Sequence, residues 1–124
     1  MFIAGTTVNI QAALAQVSQY WSPRVVGQVN NQYIKVAKLK GELVWHAHAD
    51  EDEMFLVVYG HLKIQLEDRD IHLMPGEFCV IPRQIRHNPV ADEECAIVLI
   101  ETVTTLHTGA EVVAGSVPIE RQLA

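Results

Sequence analysis

From Arg24 to Val103 the chain runs as short segments of period two, punctuated by Gly, Pro and Asn. No other feature narrows its possible folds as much, because period two puts alternate side chains on opposite faces of extended strands. Residues 24–29 and 33–39 read as a hairpin turning at Asn30-Asn31, where Asn tolerates the positive φ of a tight turn. Residues 43–48, 54–59, 61–67, 71–74, 78–81, 88–91 and 95–103 follow as further strands. Pro75-Gly76 signals a type II turn, Pro setting one φ and Gly the next. Many short strands joined this way indicate an antiparallel sandwich or barrel. Ahead of them, Ile10, Ala13, Leu14, Val17, Tyr20 and Trp21 follow a helical spacing, so a helix is expected over about 9–21. Asn9 suits its N-cap, and Ser22-Pro23 ends it. A chain of 124 residues holds one core, so the expected organisation is a single domain, 1–124, with a barrel over about 24–106.

Two strands depart from in/out alternation. Residues 54–59 and 95–100 are apolar on both faces and need cover on both. The barrel interior covers one face; the N-terminal helix, another sheet segment or a second subunit must cover the other. A homodimer is the expectation. These strands also account for an apolar share of 49%, which excludes a disordered chain. The longest apolar runs are six residues, where a spanning helix needs about 20, so no membrane span is expected. The first residues show neither a basic region nor a sustained apolar stretch, so no signal peptide is expected. A formal charge of −6 argues against nucleic-acid and anionic-membrane partners. Cys79 and Cys95 form no Cys-x-x-Cys pair and read as buried thiols, which suits the cytoplasm.

The chemistry is concentrated in the histidines. His46 and His48, at i and i+2 on a strand, project from one face. Glu53 follows at the start of the next strand, Gly60 closes that strand, and His87 lies beyond Gly76 and Pro82. Two imidazoles on one strand, a carboxylate on its neighbour and a third imidazole across the barrel form a nitrogen/oxygen cage suited to a divalent transition metal. Without thiolate, a closed structural zinc site is disfavoured.

The stretch from Gly41 through His46, His48 and Glu53 to Gly60 resembles the first cupin motif, and Gly76, Pro82 and His87 resemble the second. The resemblance implies a double-stranded β-helix (jelly-roll) barrel, an all-β fold preceded here by a short N-terminal helix. It also implies metal ligation by His46, His48, Glu53 and His87. Departures are the Gly41 to His46 spacing, one residue short, Gln84 in place of a Gly, and Ala91 in place of an Asn. More narrowly, the chain resembles small single-domain bacterial cupins of the mannose-6-phosphate isomerase-like kind. Tyr20-Trp21-Ser22-Pro23, the segment 38–42 and Thr105-Leu106-His107-Thr108-Gly109 add to that likeness.

Three imidazoles and a carboxylate leave about two positions open on an octahedral metal. The expected cofactor is one divalent transition metal: Mn, Fe, Ni, Zn or Co. The expected function is Lewis-acid isomerase or lyase chemistry, or Fe(II) dioxygenase chemistry, on a small polar or oxygen-rich molecule. The alternative is a metal-containing module that binds or senses a small molecule without turning it over. Candidate substrate contacts are Phe55 and Tyr59, which share the period-two face of Glu53, together with Arg83 and Arg86 beside His87. His61 and His72 fall on solvated faces, and His107 has no evident partner.

Overall fold

The period-two segments become seven antiparallel strands in a computed structural model, which describes residues 2–109 and 116–123. They are β1 (Arg24–Val29), β2 (Gln32–Glu42), β3 (Glu53–Tyr59), β4 (Leu62–Leu66), β5 (Asp70–Leu73), β6 (Phe78–Ile81) and β7 (His87–Thr102). A helix, α1 (Ile10–Ala15), precedes them, and a second, α2 (Ile119–Leu123), follows. The pairing order is β1-β2-β7-β3-β6, with β4 bonded to both β7 and β5. β7 spans the two halves of the barrel: its start pairs with β4, and its end lies between β2 and β3. The segments expected at 88–91 and 95–103 are thus one long strand, turned at the exposed residues 92–94. No helix among the described residues is long and apolar enough to cross a membrane.

The turn chemistry is realised as read. Asn30 adopts φ 50° between β1 and β2. At Pro75-Gly76, Gly76 takes φ 84° and Glu77 N donates to the Met74 carbonyl at 2.9 Å. Gly60 is required at its corner for a second reason besides its φ of 86°. A Cβ there would stand 2.6 Å from Glu94 O and 2.8 Å from Cys95 Cα.

Two elements differ from expectation. The N-terminal helix ends at Ala15 instead of near 21, its last turn tightened by Gln16 and Val17 bonding three residues back. Tertiary anchors take over beyond it. Tyr20 Oη donates to Glu94 at 2.7 Å, Trp21 Nε1 to Lys40 O at 2.8 Å, and Trp21 adopts φ 56°. The second difference is at 43–48, where no strand forms beyond a bridge between His46 and His87. Leu43 lies opposite Pro89, whose carbonyl accepts from Leu43 N at 3.3 Å but which has no N–H to return.

The barrel interior is filled by Leu39, Phe55, Val57, Leu62, Ile64 and Ile97 with their neighbours. Leu14 and Val17 cover Val36, Ala96 and Val98 on the outer face of the sheet, with Leu56, Val58 and Ile100 at the margin of that cluster. Beyond that margin Phe78 and Val80, paired with Leu56 and Met54, are 61% and 51% exposed. Cys79 is half-buried and Cys95 buried, both free, and burial pushes the Cys95 thiol up to about 11.

Candidate metal centre

Each of the four motif residues reaches the barrel interior by a separate local device. Glu53 opens β3 and points inward with Phe55 and Val57. His87 opens β7, and its backbone exchanges both hydrogen bonds with His46, at 2.8 and 3.0 Å. That exchange fixes His46 although no strand surrounds it. His48 is tied through its carbonyl, which accepts from Gln84 N at 2.7 Å. Gln84 adopts φ 70°, a left-handed conformation that costs a non-glycine residue energy and explains the preference for Gly at this motif position.

The four residues are buried, and one donor atom from each lies within 4.8 Å of the others. Glu53 Oε1 is 3.3 Å from His87 Nε2 and 3.5 Å from His48 Nε2. His46 Nδ1 donates to Val44 O at 2.7 Å and His87 Nδ1 to Ile85 O at 2.9 Å. A carbonyl can only accept, so both Nδ1 atoms carry a proton, and Nε2 is the atom each ring can offer a metal. Neither ring nitrogen of His48 has a hydrogen-bond partner although both are buried. Such a group is costly unless a ligand satisfies it. Burial lowers the His46 pKa to about 4, so this imidazole is neutral and ready to ligate at neutral pH. Burial opposes ionisation of Glu53, yet the neighbouring Glu101, His48 and His87 side chains hold its carboxyl well below the usual range. Three imidazoles, one carboxylate and the orphaned nitrogens on His48 fit a divalent transition metal.

Behind Glu53 lies a buried polar relay that sequence reading missed. Glu101 faces Glu53 across the β3–β7 pairing, and burial, then the Glu53 charge, push its carboxyl well above the usual range. The directions of the two shifts place the proton of the pair on Glu101 and leave Glu53 ionised. Lys35, 1% exposed, lies 2.8 Å from Glu101 Oε1 and 2.5 Å from Gln122 Oε1. The pair then carries one negative charge, which Lys35 balances. The signal was present: Lys35 shares parity with Ala37 and Leu39, as Glu101 does with Ile97 and Leu99, so both are charges at inward positions.

A narrow cavity of about 30 Å³ opens on His46 and Glu53. Its walls are largely apolar, Trp21, Leu39, Leu43, Phe55, Pro89 and Leu99 among them. Of the four candidate substrate contacts only Phe55 borders it. A register shift between Val57 and Tyr59 turns Tyr59 outward, where its hydroxyl donates to Glu94 at 2.6 Å. Arg83 and Arg86 are at the surface, Arg83 Nε 3.5 Å from Asp52 and Arg86 Nε 3.7 Å from Glu67. His61 and His72 are exposed, as read, but stack on each other with a 2.9 Å hydrogen bond between their rings.

Comparison with known proteins agrees with this geometry. A crystal structure of a cupin-2 domain containing protein from Shewanella frigidimarina is 44% identical, with TM-score 0.75, covering 77% of this chain and 93% of that one. Protein NMB1881 from Neisseria meningitidis is 28% identical, with TM-score 0.72, covering 78% and 99%. The uncharacterised protein YdbB of Bacillus subtilis is 29% identical over 80 residues, 64% of this chain and 71% of its own length. The cupin domain family model matches residues 34–103, more than half the chain. That stretch includes every residue of the four-donor cluster, and the chain belongs to the cupin domain family.

Proposed function

We propose that the protein is a metal-dependent cupin that binds one divalent transition metal and acts on a small oxygen-rich molecule. His46, His48, Glu53 and His87 hold the metal. The observation that carries this reading is the pair of orphaned His48 nitrogens beside three other donors, all buried and within 4.8 Å. When bound, the metal supplies Lewis acidity, or redox chemistry if it is iron. The chain's own residues hold the donor set, exclude water with the apolar pocket wall, and present His46 as a neutral ligand. Loading the protein with Fe(II), Mn, Zn and Ni and screening polyols, sugar phosphates and diketones tests this. Oxygen uptake with Fe(II) identifies a dioxygenase, and product with a redox-inert metal identifies an isomerase or lyase. Saturable binding without product under every metal replaces catalysis with sensing.

The same reading includes a homodimer in the cytoplasm. Free, largely buried thiols suit a reducing compartment. The exposed Phe78 and Val80, continuous with Leu56 at the edge of the helix-covered face, support a second copy as cover. Light scattering is expected to give twice the 13.8 kDa chain mass, and a species of one chain mass contradicts the dimer.

A further inference from the structure

Among the described residues, His107 is the one titratable side chain in the pocket wall besides His46 and Glu53. It comes from the late segment Thr105-Leu106-His107-Thr108-Gly109. Gly109 holds that segment against the ligands: with φ 58°, it approaches so closely that a Cβ would collide with the Ala47 carbonyl. Ala47 separates His46 from His48, so the late loop packs on the backbone that carries two of the ligands. Val117 N donates to His107 Nδ1 at 2.9 Å. Nδ1 is therefore the acceptor, and in a neutral ring the proton sits on Nε2. Burial keeps the ring neutral, lowering its pKa to about 4. Among the described residues no protein group bonds that Nε2.

We propose that His107 donates a hydrogen bond, through Nε2–H, to an oxygen of a metal-chelating small molecule that presents an apolar face to the pocket wall. The inference rests on the metal-dependent reading above. The metal takes the chelating oxygens, and the apolar wall takes the body. Nε2–H is the remaining polar contact, and a site built this way discriminates against a ligand with no oxygen to receive it. His107 thus becomes a specificity-determining residue outside the donor set.

The test uses the full chain loaded with Co(II), whose visible spectrum reports ligands entering the metal's open positions, and acetohydroxamate as the probe, a compact chelator with a methyl body. His107→Asn keeps an acceptor for Val117 N but removes the distal donor. It is expected to take up cobalt as the wild type does and to bind acetohydroxamate about 10-fold more weakly. His107→Gln places an amide N–H near the Nε2 position and is expected to recover most of that loss. Equal affinity in the Asn variant and the wild type overturns the assignment of His107 alone. A Gln variant as weak as the Asn variant, or an Asn variant that loses cobalt, also overturns it. Wild-type protein that takes up no cobalt overturns the metal reading itself, and this inference with it.

Discussion

Replacing His46 and His48 together by alanine is expected to lower affinity for divalent transition metals by more than about 100-fold. Loss of a single outer-sphere partner of a metal ligand already costs 10–100-fold, and here two ligands are removed. Only Glu53 and His87 would remain, joined to each other by a 3.3 Å contact instead of facing a third and fourth donor. The fold is expected to survive, because the His46–His87 bridge is made by backbone groups that alanine keeps. Competition titration with a chromophoric chelator measures the loss, and circular dichroism checks the fold. Acid acts in the same direction. Imidazoles must be neutral to ligate, so metal is released as pH falls through the histidine range. The metal-free protein also weakens there. The buried His46 and the half-buried His107 have folded pKa values of about 4, below the 6.5 of a free histidine. Between those values the unfolded chain binds more protons, so their contribution is present above about 6.5 and is lost as pH falls toward 4.

Lys35→Met is expected to destabilise the metal-free protein by about 3–5 kcal/mol, the usual cost of removing one partner of a buried ion pair. Methionine nearly matches the lysine stem in volume, so packing contributes little to this loss. What changes is charge. Glu101 holds the proton of the pair, and the negative charge on Glu53 would stay buried without the ammonium that now lies 2.8 Å from Glu101. Gln122 would also lose its 2.5 Å partner, loosening α2. For a chain of this size the melting temperature is expected to fall by roughly 10–20 °C. A divalent metal supplies positive charge on the other side of Glu53, and as a ligand of the folded state alone it stabilises by mass action. The variant is therefore expected to regain more of its melting temperature on metal addition than the wild type gains. Calorimetry with and without metal reads both effects. An unchanged melting temperature contradicts the relay.

The barrel and the four-donor cluster were legible because each follows from local pattern. Period two put Glu53 and Phe55 on one inward face, and His46 and His48 stand two residues apart. The Pro75-Gly76 and Asn30 turns follow from backbone preference alone. What was not legible depends on partners distant in sequence. Pro89 interrupts the ladder opposite Leu43, which no pattern within 43–48 reveals. Tyr20 and Trp21 fit a helix by spacing, but bonds to Glu94 and Lys40 are worth more to the fold than another helical turn. Tyr59 leaves its expected face because a bulge breaks the parity. Lys35 and Glu101 were readable as inward positions, but a charged residue there is ordinarily discounted unless its partner is known, and that partner lies 66 residues away. His107 acquires its role through Val117 and the close approach of Gly109 to Ala47, both contacts between separate segments.

Everything proposed for this protein depends on metal binding by His46, His48, Glu53 and His87. Elemental analysis of native protein, purified without chelator or added metal, tests it most directly. About one divalent transition metal ion per chain is expected, removed by chelation and absent from the His46→Ala/His48→Ala protein. Native protein without metal that also fails to take any up on loading would contradict the claim, as would equal metal content in that variant.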